Sequence, residues 1–296
     1  MISHWHSDHI LGSSELVKQC NQAIVYAPAA LYNSEALHLA ELYKPDPFSN
    51  SDKEIREFRE IMRHLKALGE QNRFDLIHAK TCFFSGQFGA KLTALSPSAV
   101  ATTQSIERIR ELKPQPGSRR KRLAVPESEN LNATALHFSF GEFSALLGSD
   151  LEETGNPNTG WSAVLSSGIY QALSLTRSTL YKVAHHGSET GHHPDIWTTL
   201  LEDSPQTIGT TFSKCHLPLE QDIQRITQHS SSLILTRNPT PKKNTKRDPI
   251  TDRWMKAQTK RRSVINDKMG HIRIRIPVDG EISVEKNPVC VEYQQD

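Results

Sequence analysis

The chain has no long apolar run. Nothing in it approaches the roughly 18 consecutive apolar residues that a membrane-spanning helix needs. The opening residues lack a basic stretch followed by an apolar core, so they do not read as a secretory signal. Cysteine is scarce: Cys20, Cys82, Cys215 and Cys290 lie far apart and form no CxxC pair. They read as mostly buried thiols of a reducing compartment, which makes the cytoplasm the default location. An excess of one charge is lacking too. The net charge is +2, so global charge names no partner. What remains is 296 residues, 36% hydrophobic and 23% charged, enough for a sizeable core in one large domain or two small ones.

Hydrophobic periodicity predicts alternating strands and helices. Residues 10–20 read as a helix, 23–28 as a short strand and 29–43 as a second helix. In 53–68 the spacing of Ile55, Phe58, Ile61, Met62 and Leu65 predicts an amphipathic helix, with Ser51 or Asp52 as its N-cap. A strand at 90–97 and a helix at 105–112 follow. Residues 133–152 predict a hairpin turning at Gly141-Glu142, and 271–285 a second one around Asp279-Gly280. Between them lie expected helices at 161–174, 193–202 and 218–229, strands at 207–213 and 232–236, and at 179–189 a strand running into a turn. This mixture predicts an α/β fold with sheets inside and helices outside.

Charge is concentrated in two places. The stretch KPQPGSRRKR (113–122) is purely basic and must be a surface loop. Residues 237–262 carry ten Lys/Arg against two acids, and prolines rule out one continuous helix. The segment reads either as a solvated surface insertion or as an arm that contacts DNA or RNA phosphates. Trp254 within it is either a packing anchor or a base-stacking platform.

The strongest chemical signal comes first in the chain. MISHWHSDHILG places His4, His6, Asp8 and His9 within nine residues. Imidazole and carboxylate suit zinc or another borderline first-row ion, manganese included. In an extended turn alternate positions point the same way. His4 and His6 can share one ion while Asp8 and His9 face a neighbouring point, which suggests two metals. Further along, LLGSDLE (146–152) and KVAHHGSETG (182–191) add Asp150, His185, His186 and Ser188.

The HxHxDH pattern, followed in order by these two segments, resembles the metallo-β-lactamase fold hydrolases. The K-V-x-H-H-G-S form is similar to the branch containing the nuclease-like domain of ComEC/Rec2 DNA-uptake proteins. Leu95-Ser96-Pro97 and an expected strand containing Asn132 sit where that branch has its L-x-P and N-x-x-S-L-V-L segments. The resemblance covers about residues 1–236 and 264–285. It implies a four-layer αββα sandwich spanning 1–296 as a single domain, with 237–262 as a basic insertion. It also implies that the strands which lead up to the first motif in the family are lacking here. Two zinc ions are implied, with His4, His6, Asp8, His9 and Asp150 as ligands and Asp150 as the bridge between them. Either His185 or His186 would complete the second metal. His185 is preferred as that ligand, which leaves His186 to donate to substrate or act as an acid. Gly187 and Ser188 would present a backbone N–H or a hydroxyl to an anionic oxygen. Many family members carry another histidine between the first motif and the bridging aspartate; the candidates here are His64, His78 and His137.

The expected function is metal-dependent hydrolysis by a metal-bound hydroxide, on phosphodiester or nucleic-acid substrates. Asp8, His186 and Ser188 are the expected catalytic side chains. The alternatives are a hydrolase of small esters, lactams or thioesters, or a non-catalytic remnant or split subunit of such an enzyme. For the basic arm the expectation is direct. Charge reversal at Lys242, Lys243, Lys246 and Arg247 should weaken single-stranded DNA binding in a salt-dependent way, measured by fluorescence anisotropy; unchanged binding would return the segment to a solvated surface.

Overall fold

A computed structural model of the chain describes residues 1–20, 22–42, 53–86, 89–112, 127–212, 215–240, 248–258, 270–277 and 282–294. The expected loops at 44–52 and 113–122, the caps Ser51 and Asp52, the Asp279-Gly280 turn and much of the basic stretch 237–262 lie outside them.

Helices α1 (Ser7–Ile10) and α2 (Ser13–Gln19) follow the histidine-rich opening, then strand β1 (Val25–Pro28) and helices α3 (Ser34–Leu42) and α4 (Lys53–Glu70). Strands β2 (Phe74–Ile77), β3 (Cys82–Ser85) and β4 (Lys91–Ala94) precede α5 (Ala99–Glu111). A 3-10 turn at Glu127–Asn132 leads into β5 (Leu136–Phe140) and β6 (Phe143–Leu147). Then come α6 (Gly160–Ser166), α7 (Ile169–Ala172), β7 (Ser178–Lys182), α8 (Asp195–Thr199) and β8 (Leu201–Gly209). The described elements end with α9 (Glu220–Thr227), β9 (Ser232–Leu235), α10 (Pro249–Gln258), β10 (Ile272–Arg275), β11 (Ser283–Lys286) and β12 (Val291–Gln294).

The architecture is α/β around a mixed eight-stranded sheet of order β12-β9-β8-β7-β6-β5-β4-β3. Strands β6 to β9 run parallel; β3 to β6 are antiparallel, as is β12 against β9. One face of the sheet presents Leu146, Tyr181, Val183, Leu233 and Leu235 to Trp161, Ile169, Trp197 and Ile223 of α6 to α9. The opposite face presents Phe143, Ala145 and Leu180, with Ile274 of β10 packed against them. The side-chain period of two in a strand explains the division: Leu146 and Ala145 are neighbours, yet they belong to different cores.

A separate parallel pair, β1 and β2, joins the molecule through two cores. Val25 and Ala27 pack with Leu39 of α3 and Phe58, Ile61 and Leu65 of α4. Ile77 at the end of β2 packs against Ala94 and Leu136 of the large sheet. Helix α4 buries the stripe expected of it, Ile55, Phe58, Ile61, Met62, Leu65 and Leu68. That stripe receives the start of the chain. Trp5, 1% exposed, stacks on Phe58 with ring centroids 4.0 Å apart and planes 7° off parallel. Ile2 N donates to Tyr26 O, and Thr134 Oγ1 to Ser3 O. Residues 2–5 are thereby fixed against β1, α4 and the approach to β5.

Several expectations need correction. The expected helix 161–174 is two helices, broken where Gly168 adopts a left-handed φ of 61°. The helix expected over 193–202 ends at Thr199, and β8 begins at Leu201, earlier than the strand expected at 207. Helix α5 starts at Ala99, not 105, because Ser98 Oγ caps it by accepting from Ala101 N. Asn132 lies in a 3-10 turn before β5, not in a strand. Two of the four free thiols, Cys82 and Cys215, are exposed, so the cysteines are not mostly buried; Cys82 lies on the edge strand β3. Among the described residues, no helix is long and apolar enough to cross a membrane.

Phe58 is fully buried under Trp5. Phe58→Ala should lower stability in urea unfolding by about 3–5 kcal/mol, the range for deleting a core aromatic ring. An unchanged midpoint would mean that the opening segment is held elsewhere.

Candidate metal centre

The first turn of the chain and two strand ends meet at one point. Past β6 the chain turns through Gly148 and Ser149 to Asp150, and past β7 it turns through Ala184 to His185 and His186. These lie at the carboxyl ends of adjacent parallel strands, the edge where open α/β sheets present functional groups. The two ends approach so closely that a Cβ on Gly148 would lie 2.8 Å from the Ala184 backbone nitrogen. Hydrogen bonds from Gly148 N to Lys182 O and from His185 N to Ser149 O tie them together.

Asp150 is buried, 2% exposed, and its Oδ2 accepts from His9 Nε2 at 3.0 Å. Asp8 Oδ2 lies 3.6 Å from His9 Nε2 and 3.4 Å from His186 Nε2, and Asp150 Oδ2 lies 3.6 Å from the latter. One ligand-capable atom from each of Asp8, His9, Asp150 and His186 falls within 4.8 Å of all the others. His4 and His6 flank this group. Their rings make an edge contact at 5.0 Å, and the His4 ring lies 4.2 Å from that of His9. Ser3 Oγ, 3.1 Å from Nδ1 of both His4 and His9, fixes which ring nitrogen each turns inward.

The cluster can hold a cation. Asp150 Oδ1, His186 Nε2 and His4 Nε2 are buried with no hydrogen-bond partner among the described residues. Unpartnered buried acceptors are disfavoured by about 1–3 kcal/mol each. A divalent ion would satisfy them together, and two imidazoles with two carboxylates form a donor set suited to borderline first-row metals.

The electrostatics favour the ligand forms. Burial, reinforced by His9, pushes the His4 imidazole down to about 3, and burial lowers His6 as well. Both rings are therefore neutral, as a ligand must be. The approach of His186, whose Nε2 lies 3.4 Å from its Oδ2, holds Asp8 down to about 2. Burial alone would raise Asp150, but the His9 hydrogen bond and the proximity of His9 and His186 outweigh it and keep this carboxyl well below its usual range.

His185 is placed elsewhere. The geometry reverses the expected division of labour in the histidine pair. His185 Nδ1 lies 3.0 Å from Glu152 Oε1, 2.8 Å from Thr190 Oγ1 and 3.0 Å from Ser188 Oγ. Its Nε2 faces Asn130 Nδ2 at 3.3 Å. Both ring nitrogens are engaged, whereas His186 stacks on Phe212 and sends Nε2 into the cluster. Ser188, 8% exposed, is likewise turned to His185 and Thr190, and is not free to meet a ligand at the cluster. Glu152 and Asn130 were missed as site residues. Glu152 stands two positions after Asp150 in LLGSDLE, and that spacing was the available signal; Asn130 gave none.

The intervening histidines stay out. His137 is buried in β5 and bonded to Thr176 O, His64 lies on α4, and His78 is exposed. Trp254 on α10 is 66% exposed, so it is not a packing anchor. Lys242, Lys243, Lys246 and Arg247 lie outside the described residues. In comparisons with known proteins, no protein-family model matches the chain and no curated protein matches it.

The depressed values set a pH dependence for the metal-free chain. Between about 3 and the ordinary 6.5, the unfolded chain binds a proton at His4 that the folded chain refuses. Stability therefore falls as pH is lowered through that window, and Asp8 continues the loss from 3.8 towards about 2. In chelator, His4→Gln should flatten the upper part of this fall in urea titrations between pH 6.5 and 4. An identical slope in the variant would show that His4 is not the group responsible.

Proposed function

We propose that the chain is a metal-dependent hydrolase acting on phosphodiesters, nucleic acid among them. The observation that carries this reading is the convergence of Asp8, His9, Asp150 and His186, in which Asp150 Oδ1 and His186 Nε2 are buried without a partner among the described residues. In this reading those four residues would hold one zinc ion, and His4 and His6, with Asp150, would hold a second. The ligand in the histidine pair is His186. Manganese would suit the same donors.

When bound, such ions supply Lewis acidity and lower the pKa of water towards neutrality. The residues of the chain do the rest. Asp150 offsets the repulsion between two cations from a buried position. Asp8 is the more open carboxylate, with its side chain a third exposed, and is placed to take a proton from incoming water. His185, gripped by Glu152 and Asn130, braces the turn that carries His186.

The layering supports an αββα sandwich like that of the metallo-β-lactamase fold hydrolases, with 1–296 as one domain. Helices α3 and α4 cover β1, Ile77 of β2 meets the large sheet, and α6 to α9 cover that sheet's other face. The phosphodiester assignment rests on the motif resemblance and on the basic stretches 113–122 and 237–262. Exposed Trp254 adds a surface on which a base can stack.

The test is metal content together with activity. The purified chain should retain zinc or manganese and hydrolyse bis(p-nitrophenyl) phosphate and single-stranded DNA. His186→Ala should weaken zinc binding by more than about 100-fold, while His185→Ala should stay within the roughly 10–100-fold range of an outer partner. A chain that holds neither metal would overturn the reading. A chain that holds metal but spares both phosphodiesters and cleaves a small ester or lactam would overturn the substrate class alone.

A further inference from the structure

The His185–His186–Gly187 turn has an unusual backbone. His185, His186 and Gly187 are all left-handed, with φ of 44°, 55° and 81°. For two consecutive residues with a Cβ this conformation is unfavourable, and it persists only where the surroundings impose it. Hydrogen bonds from Gly187 N to Ala184 O and from His185 N to Ser149 O hold the start of the turn, and Ser188 N donates to His185 O across it. These bonds leave the Gly187 carbonyl, at the far end, to a partner outside the turn.

The far end is held from α9. Arg225 Nη2 donates to Gly187 O at 2.8 Å, and Nη1 donates to Asp222 Oδ1 at 2.8 Å. Asp222 is 1% exposed, and its other oxygen accepts from Leu219 N at 2.9 Å. The guanidinium is therefore fixed on both sides, with its own side chain only 20% exposed. A rigid fork of this kind fixes direction as well as distance. Helix packing closes the remaining space. A Cβ at Gly187 would meet Ile226 Cδ1 at 3.1 Å and Pro218 Cβ at 3.2 Å. The turn thus cannot relax towards α9, and Arg225 prevents it from relaxing away.

We propose that Arg225 is a positioning residue for the metal centre, holding the left-handed turn through the Gly187 carbonyl and so fixing His186 within the cluster. Asp222 serves it by locking the guanidinium. The inference rests on the metal-centre reading above and extends it to a helix some 40 residues past the last ligand motif, where no metal-binding pattern occurs.

The test uses metal binding, not turnover. Zinc affinity is measured by competition with a chromophoric chelator, and ligand geometry by the visible spectrum of the cobalt(II)-loaded protein. Arg225→Met should weaken zinc binding by about 10–100-fold, the usual effect of losing an outer-shell partner. Its cobalt spectrum should shift towards that of His186→Ala. Ile223→Val on the same helix perturbs packing but not the clamp, and should keep the wild-type spectrum. Arg225→Lys keeps a charge beside Asp222 but loses the fork. It should weaken zinc binding in the same direction, and it carries the test if Arg225→Met does not fold. Wild-type affinity and spectrum in the Arg225 variants would overturn the proposal alone. A wild-type chain that binds neither zinc nor cobalt would overturn the metal-centre reading and this proposal with it.

Discussion

The stacking of Trp5 on Phe58 is the contact on which the candidate centre depends. His4 and His6 flank Trp5 in sequence, and Asp8 and His9 follow on the same segment. Ordering that segment costs backbone entropy of about 1–2 kcal/mol per residue. The indole offsets part of this by entering a core already assembled by α3, α4 and β1. Once Trp5 is seated, its two neighbours must point away from that core, towards the large sheet. Apolar packing on one side of the segment thereby becomes ligand presentation on the other.

The second constraint is electrostatic. Asp150 is nearly inaccessible, and a buried carboxylate is tolerated only with partners. His9 supplies one, His186 stands close, and one oxygen has no partner among the described residues. Around it, His4 is held neutral by burial. The site thus brings two carboxylates close to the neutral His4 ring, a balance that favours a cation. The outer residues act on direction. Glu152 and Asn130 occupy both nitrogens of His185, so the histidine that enters the cluster is its neighbour.

Much of this was legible in the sequence, and the limits have physical causes. Helix α4 was readable because six apolar residues share one face, and the β5–β6 hairpin because its alternation brackets Gly141-Glu142. Strands β2, β3 and β12 were not, since each has four residues and is specified by its partner strand. The residues that gather at the site were readable as types in order: His4, His6, Asp8, His9, Asp150 and the His185-His186 pair. Which member of that pair turns inward was not. Extended-strand alternation predicts opposite directions but not which is which, and the left-handed turn breaks the alternation altogether. The hydrogen-bond partners that decide the matter are Asn130, in a segment without a pattern of its own, and Glu152, whose signal was its place two positions after Asp150.

In the proposed function these imidazoles and carboxylates are the ligands of bound metal. X-ray absorption fine structure at the zinc edge of the zinc-loaded chain examines those ligands directly. The account predicts nitrogen and oxygen neighbours at about 2.0–2.2 Å, multiple scattering from at least two imidazoles, and no sulfur. A sulfur shell near 2.3 Å, or zinc surrounded by water oxygens without imidazole scattering, would contradict it.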